Sequence, residues 1–564
     1  MTGEYYFPEM TGQGGALFDY DNDGDLDLYL VQGSLLGPEE TLEDALFPPP
    51  AGSAGSPIDR LLRNDLGDDG KIRLVDVTEA SGLRAGGYGM GVATGDLDND
   101  GHTDLYVTNY GPNQLWRNRG DGTFEDITAK AGADDPRWST SAAFVDFDRD
   151  GWLDLYITNY LQFSVAENPA CYANSSRRDY CGPSGFPPER DRLLRNRGDG
   201  TFQDVTVGAG ITTPGAGLGV VAGDFDGDGW LDLYVANDGQ PNFLWLNQQN
   251  GTFADGGLLS GLAVNARGLP EASMGVTAGD ADGDGDLDLF MTHLTGETNT
   301  LYLQEEGGLF LDRTVASGLG AGSLPFTSFG TYFFDYDNDG WLDLLIANGA
   351  VRILEPLAAA GDLFPLDQPN QLYRNLGGGR FEEVTAEAGE PFRIAEVSRG
   401  AAVGDLDNDG DTDVVLFNNN GPARLLENRV GQDRQWIGLR LLSSPGQAGA
   451  SKPLPARDAL GTLVTVEGAT QPRLVRRVGT DGSYCSANDP RLLFGLGDRK
   501  QPVTIKVAWP DGSEERFAGL APGRYHQLHQ GQGAESGEKT APHSDAEESS
   551  GGEKPAPWES EASR

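Results

Sequence analysis

One nine-residue pattern, D-x-D-x-D-G-x-x-D, occurs seven times along this chain, each time running into an apolar stretch. The copies start at Asp19, Asp96, Asp146, Asp224, Asp280, Asp335 and Asp405, at intervals of 77, 50, 78, 56, 55 and 70 residues. Such recurrence predicts an array of similar units rather than scattered sites. A second landmark keeps step with the first: roughly N-x-L-Y-x-N, a glycine turn, then F-x-D-V-T. It is clearest over residues 113–128, 193–206 and 370–385, with weaker copies from Leu61, Asn242, Asn299 and Ala423. Each unit therefore offers four strand-like pieces: the run into the acidic loop, the run out of it, the N-x-L-Y piece and the F-x-D-V-T piece. Four antiparallel strands per unit, repeated radially, predict an all-β fold, a seven-bladed β-propeller. The 81 glycines among 564 residues agree with many tight turns between short strands.

The loop itself points to a hard cation. First-place aspartates are the seven that open the copies. The third place holds Asp21, Asp98, Asp148, Asp226, Asp282, Asp337 and Asp407, and the fifth holds Asp23, Asp100, Asp150, Asp228, Asp284, Asp339 and Asp409. These put three carboxylates on one side of a turn that the sixth-place glycine allows. The seventh place contributes only a backbone carbonyl, so it tolerates Asp25, His102, Trp152, Trp230, Asp286, Trp341 and Asp411. The ninth-place aspartates, Asp27, Asp104, Asp154, Asp232, Asp288, Asp343 and Asp413, close the shell. All-oxygen, multi-ligand loops favour calcium over magnesium, so up to seven Ca²⁺ are expected. An EF-hand needs a bidentate Glu at place 12 and flanking helices. Place 12 here is Leu30, Val107, Ile157, Val235, Met291, Ile346 or Leu416, all apolar and inside strand-like runs. The metal is expected to be structural, since each loop supplies a nearly complete ligand set.

The formal charge of −46 disfavours nucleic acid and anionic lipid as partners. No window approaches eighteen apolar residues, so no transmembrane helix is expected. Cys171 and Cys181 flank a short polar loop and read either as a disulfide, suiting an oxidising compartment, or as two free thiols. Among the 5 histidines no H-x-H or H-E-x-x-H site occurs, and no nucleophile elbow, Walker loop or dinucleotide fingerprint is found. Residues Gln32, Asn109, Asn159, Asn237, His293, Asn348 and Asn418 recur at one phase at the ends of the second strands. Turn capping is the plain reading and a ligand-contacting rim the sharper one. Residues 482–490 (GSYCSANDP) read as a turn between strands, with Cys485 a nucleophile only on the less economical reading.

These motifs resemble the FG-GAP/VCBS repeat of integrin α-chain propellers and bacterial surface proteins. The stretch 458–528, with DALGTLVTVEG, RRVGTDGSYCSANDPRLLFGLG and VTIKVAWPDGSEERFAGLAPG, resembles the ASPIC/UnbV domain that follows such propellers in the cartilage acidic protein family. The resemblance implies calcium at the loop residues above, supplies no catalytic residues, and implies a secreted, periplasmic or cell-surface location. Three segments are expected: a propeller over 1–430, a small β-sandwich or barrel over 431–530 and a disordered acidic tail over 531–564. The implied function is binding or adhesion, with a glycan or protein ligand recognised through the propeller; an enzyme acting on polysaccharide or in a biosynthetic cluster is the alternative. In most units F-x-D-V-T ends about eighteen residues before the next acidic loop, and eighteen residues before Asp19 is Met1. The strand closing the seventh unit, and an export signal, are therefore expected upstream of residue 1, unless residues 435–441 (QWIGLRL) fill that place.

Overall fold

The computed structural model describes residues 2–37, 45–46, 57–67, 69–173, 175–443, 455–468 and 472–535. Most of the tail expected from residue 531 lies outside them. Seven antiparallel sheets each carry one acidic loop, always between the innermost strand and the second. In the third sheet, for example, the strands run Ser139–Val145, Asp154–Asn159, Arg192–Asn196 and Phe202–Asp204 from the inside out. Six sheets have four strands, and the seventh has three, Ser398–Gly404, Asp413–Asn418 and Arg424–Leu426. Each innermost strand packs on that of the next sheet, and the seventh packs on the first, so the blades close into a ring. Between neighbouring blades lie separate apolar clusters, such as Phe147, Phe253 and Trp245 between blades three and four. The longest described helix, Glu355–Ala359, has 5 residues, so no acidic loop sits in an EF-hand.

The register of the hairpins follows from the repeat. The ninth-place aspartate is the first residue of every second strand. The closing residue of N-x-L-Y-x-N ends the third strand and sends its carboxamide across the blade interface. It donates to the carbonyl of the second loop residue of the preceding blade: Asn118 to Tyr20 (2.7 Å), Asn196 to Leu97 (2.8 Å), Asn247 to Phe147 (2.8 Å) and Asn375 to Ala281 (2.7 Å). Asn64 to Leu406 (2.9 Å), Gln304 to Phe225 (3.3 Å) and Asn428 to Tyr336 (2.8 Å) complete the circuit.

Residues 435 onward build a sandwich on the acidic-loop side of the ring. One sheet holds Gln435–Ser443, Arg457–Asp458, Leu492–Gly497 and Tyr525–His529; the other holds Leu463–Val466, Leu474–Arg477, Val503–Ala508, Glu514–Leu520 and Ala534–Glu535. Residues 435–441 therefore pair inside this domain and not in blade seven, which corrects that alternative. Their alternation buries Ile437, Leu439 and Leu441 in a core with Val464, Ile505 and Val507, which an outer propeller edge could not supply. Ala534–Glu535 extends the second sheet, so the ordered domain passes the expected boundary at 530.

Residues 480–490 of this domain enter the axis of the ring. Their hydrogen bonds reach the inner strands of six blades: Ala487 with Leu17 and Gly15 in blade one, Cys485 with Val92 in blade two and Ser141 in blade three. Gly482 donates to Val220 in blade four, Ser483 pairs with Val276 in blade five, and Asp489 donates to Val403 in blade seven. The Tyr484 ring meets Phe329 of blade six edge-on at 4.9 Å. A Cβ on Gly14 would lie 1.9 Å from the Cys485 carbonyl, so only glycine admits the loop there. This segment is a plug, not the surface turn its polarity suggests.

Candidate functional site

The acidic loops fold as the sequence requires, and the hydrogen bonds of the fifth- and ninth-place aspartates recur in all seven. Both oxygens of each ninth-place aspartate accept backbone amides, one from the second loop residue and one from the end of the third strand. Asp104 takes Leu97 N–H at 2.9 Å and Asn118 N–H at 2.7 Å; Asp232 takes Phe225 N–H at 3.0 Å and Asn247 N–H at 2.8 Å. These carboxylates are buried and tie three chain segments together. Each fifth-place aspartate accepts the amide two residues on, as in Asp100 to His102 (3.1 Å) and Asp339 to Trp341 (2.9 Å), a tight Asx turn. Six of the seven first-place carboxylates accept the amide of the sixth-place glycine, Gly340 to Asp335 at 2.7 Å for instance, whereas Asp280 takes Gly283 N–H (2.8 Å) and Asp284 N–H (3.1 Å).

The fourth place, unassigned by sequence reasoning, adopts positive φ in all seven loops: Asn22, Asn99, Arg149, Gly227, Gly283, Asn338 and Asn408. Asparagine and glycine tolerate that region best. Where a side chain is present it reaches the sixth-place carbonyl of the next loop. Asn22 donates to Gly101 (2.9 Å), Asn99 to Gly151 (3.0 Å), Asn338 to Gly410 (3.0 Å) and Asn408 to Gly24 (3.3 Å), and Arg149 makes the same link to Gly229. The recurrence of Asn at place four was the available signal.

Carboxylate oxygens converge in the loops. The first, third and ninth aspartates bring one oxygen each within 4.8 Å of one another in Asp19/Asp21/Asp27, Asp96/Asp98/Asp104, Asp146/Asp148/Asp154 and Asp280/Asp282/Asp288; loop four gathers Asp224, Asp226 and Asp228 instead. Several first- and third-place oxygens are buried without a hydrogen-bond donor, one each on Asp21, Asp98, Asp146, Asp280 and Asp407, as are both oxygens of the seventh-place Asp411. Burial pushes Asp96, Asp280, Asp335 and Asp405 up to about 7, with neighbouring carboxylates adding to the rise. Burial likewise pushes Asp27, Asp232 and Asp413 up to about 8. Orphaned, crowded anionic oxygens on a turn fit a hard cation. A bound calcium ion would supply the positive charge that these oxygens lack.

The appended domain meets the loops with arginines that its sequence alone did not single out. Arg440 lies 3.8 Å from Asp19, Arg457 stands beside Asp96 and Asp146, and Arg476 beside Asp280 and Asp335. Arg491 donates to the Asp405 carbonyl (2.8 Å) and to Asn408 (2.7 Å), while the Tyr525 hydroxyl donates to the Asp405 carboxylate (2.8 Å). Between domain and loops lies a cleft of about 300 Å³ bordered by Asp19, Asp96, Arg440, Arg457, Tyr525 and Gln527.

The sharper readings elsewhere are corrected. Asn109, Asn159, Asn237, His293 and Asn348 are at most 2% exposed, and only Gln32 and Asn418 are half-buried, so the seven form no continuous ligand rim. They cap strand ends, as in Ser139 to Asn159 (2.7 Å) and Ser328 to Asn348 (2.7 Å), and the His293–Ser273 contact (3.1 Å) occupies the same place. Cys485 is buried in the plug and its thiol is pushed up to about 12 by burial, the opposite of an activated nucleophile. Cys171 and Cys181 form a disulfide.

Acidic loops closing the first hairpin of every blade, under a sandwich that plugs the ring, define a repeat β-propeller with a docked β domain. Family comparison agrees: an FG-GAP-like repeat matches residues 96–157, 180–235, 224–291, 280–346 and 358–416, and "ASPIC and UnbV" matches 453–535. The repeats span just over half of the chain, which belongs to the FG-GAP-like repeat family and carries an ASPIC/UnbV domain. Cartilage acidic protein 1 of Mus musculus is 29% identical over 329 residues, covering 58% of this chain and 46% of that protein. The Xenopus tropicalis protein of that name is 25% identical over 531 residues, covering 90% and 71%. The chain thus spans about half the length of the mouse relative it matches. A solved Agrocybe aegerita lectin, described as recognising non-reducing terminal N-acetylglucosamine, is 17% identical at a TM-score of 0.36, covering 66% of this chain and 90% of that one. That likeness is too loose to bear on this chain.

Proposed function

We propose that this chain is a calcium-loaded, extracytoplasmic binding or adhesion protein whose ligand is a glycan or a protein. The observation that carries the metal is the set of buried carboxylate oxygens without donors, found in five of the seven loops. The Cys171–Cys181 disulfide suits an oxidising compartment. No helix among the described residues is long and apolar enough to cross a membrane. With five of the seven strand-end residues buried, the cleft between loops and domain is the better candidate for ligand contact. Its volume, about 300 Å³, is at the small end of ligand sites, and its arginines, tyrosine and exposed Gln527 offer donors to an oxygen-rich ligand. The test is a glycan and matrix-protein array with and without calcium. Calcium-dependent capture, weakened in Gln527→Ala at unchanged melting temperature, supports the reading. Turnover of an arrayed substrate would reverse it in favour of an enzyme.

A further inference from the structure

Three loops carry an aspartate at the seventh place, where only the backbone carbonyl is expected to face a cation, and the three side chains have different surroundings. Asp25 in loop one accepts the Asn408 carboxamide at 2.9 Å. Asp286 in loop five is exposed, with the Arg473 charge nearby. Asp411 in loop seven is 1% exposed, and neither of its carboxylate oxygens has a hydrogen-bond donor. The charges facing it are those of Asp409, Asp405 and Asp407. Burying one such charge is costly and burying it among others costs more, unless a cation sits between them.

Loop seven also lacks the arginine that three other loops hold on their third- and fifth-place carboxylates. Arg117 pairs with Asp98 and Asp100 (3.0 Å) in loop two, Arg195 with Asp148 and Asp150 (2.9 Å) in loop three, and Arg434 with Asp337 (2.9 Å) in loop six. Among the described residues no arginine or lysine makes an ion pair with Asp407, Asp409, Asp411 or Asp413. Arg491 approaches Asp405 but donates to its carbonyl and to Asn408.

The chain leading to the sandwich closes this loop from outside. The turn Gly431–Asp433 lies against it so tightly that a Cβ on Gly431 would stand 2.8 Å from the Asp411 Cβ. Gln432 donates to the Asp409 carboxylate (2.7 Å), and Asn338 ties the Gly431 carbonyl (3.2 Å) to that of Gly410. The Trp436 ring then covers Gly410. No other seventh-place carboxylate is enclosed in this way.

On the calcium reading above, on which this rests, we propose that the Asp411 side chain is a cation ligand beyond the set common to the loops. Loop seven is then the tightest of the seven sites, and its cation fastens residues 431–436, the link to the sandwich, onto the ring. Affinity in all-oxygen calcium loops rises with the number of charged ligands and with rigidity.

The test is titration of the metal-stripped full chain with calcium chloride by calorimetry, with hydrogen exchange read by mass spectrometry at each step. The first equivalent of calcium is expected to protect residues 431–436. Asp411→Asn keeps the shape and removes the charge, and is expected to weaken the tightest step on the order of tenfold or more. Asp286→Asn, at the same place in loop five, leaves that step unchanged. Calcium binding whose tightest step is unaltered in Asp411→Asn, or first protection at another loop, would overturn the proposal and leave the calcium reading standing. So would a carboxylic-acid infrared band that persists in the calcium-loaded chain and is missing from Asp411→Asn, since the occupant is then a proton. No calcium binding at any step would remove both. The order of protection is read on the unaltered chain, so a misfolded variant does not decide the matter.

Discussion

At the scale of single residues the loops hold two kinds of aspartate that the repeat does not distinguish. The ninth-place carboxylate serves the protein first: Asp154 accepts Asn196 N–H at 2.7 Å and Phe147 N–H at 3.3 Å whether or not a cation is near. Asparagine keeps one acceptor and turns an N–H toward a donor, so Asp154→Asn destabilises the protein by about 1–3 kcal/mol with or without metal. The third-place Asp407 is the opposite case. One of its oxygens is buried without a donor, and burial with neighbouring Asp409 pushes it up to about 6. Asp407→Asn is expected to raise the melting temperature in chelator and lower it in calcium, a reversal that paired thermal melts would read directly. If Asp407→Asn shifts both melts in the same direction, this oxygen is not a ligand. The carboxylate spacing was legible in the sequence because ligand chemistry is local. The ninth aspartate's backbone role was not, since its second partner is a strand end 14 residues on in blade two and 42 on in blade three.

At the scale of elements the four strands per unit were legible, because alternation and turn residues act over short distances. What joins one unit to the next was not. The fourth-place asparagines and the asparagines ending the third strands bond to carbonyls 50 or more residues away, as Asn99 does to Gly151 and Asn118 to Tyr20. Their identity signals a left-handed turn or a strand end, and only the ring supplies the acceptor. Asn99→Gly keeps the positive φ of 56° and removes the link, whereas Asn99→Ala removes it and strains the backbone as well. Alanine is expected to cost about 1 kcal/mol more than glycine in chemical denaturation. Equal midpoints would show that the loop does not require this conformation in solution. The same logic separates the strand-end ring from a ligand surface: Asn159 is spent on Ser139, a partner 20 residues upstream.

At the scale of the whole molecule, the plug changes how the two domains relate. Residues 482–490 read as a turn between strands because their sequence is polar, yet their partners are inner-strand residues drawn from around the ring. No periodicity within nine residues could report a surface assembled from segments as far apart as Gly15 and Val403. Tyr484, fully buried against Phe329, fills the far end of the axis. Tyr484→Ala is expected to destabilise the chain by about 3–5 kcal/mol and to broaden its melt, as removal of a large core ring does. A loss under 1 kcal/mol would mean that the plug does not hold the ring. The arginines of the same domain lean on first-place aspartates of several loops, so the domain docks on the surface that carries the proposed cation sites.

The central claim is that the loops are cation cages fastening the ring, and melting in chelator and in calcium across pH tests it most directly. Without metal, burial pushes Asp19 up to about 6, Asp96 up to about 7 and Asp27 and Asp413 up to about 8 in the folded chain, against an ordinary 3.8. A raised carboxylate favours folding below its unfolded value and loses that contribution as pH climbs through the folded one. The chelated protein should therefore melt at progressively lower temperature from pH 5 to pH 8, and calcium should remove most of that fall, its benefit widening with pH. Coincident melts with and without calcium at every pH would contradict the account.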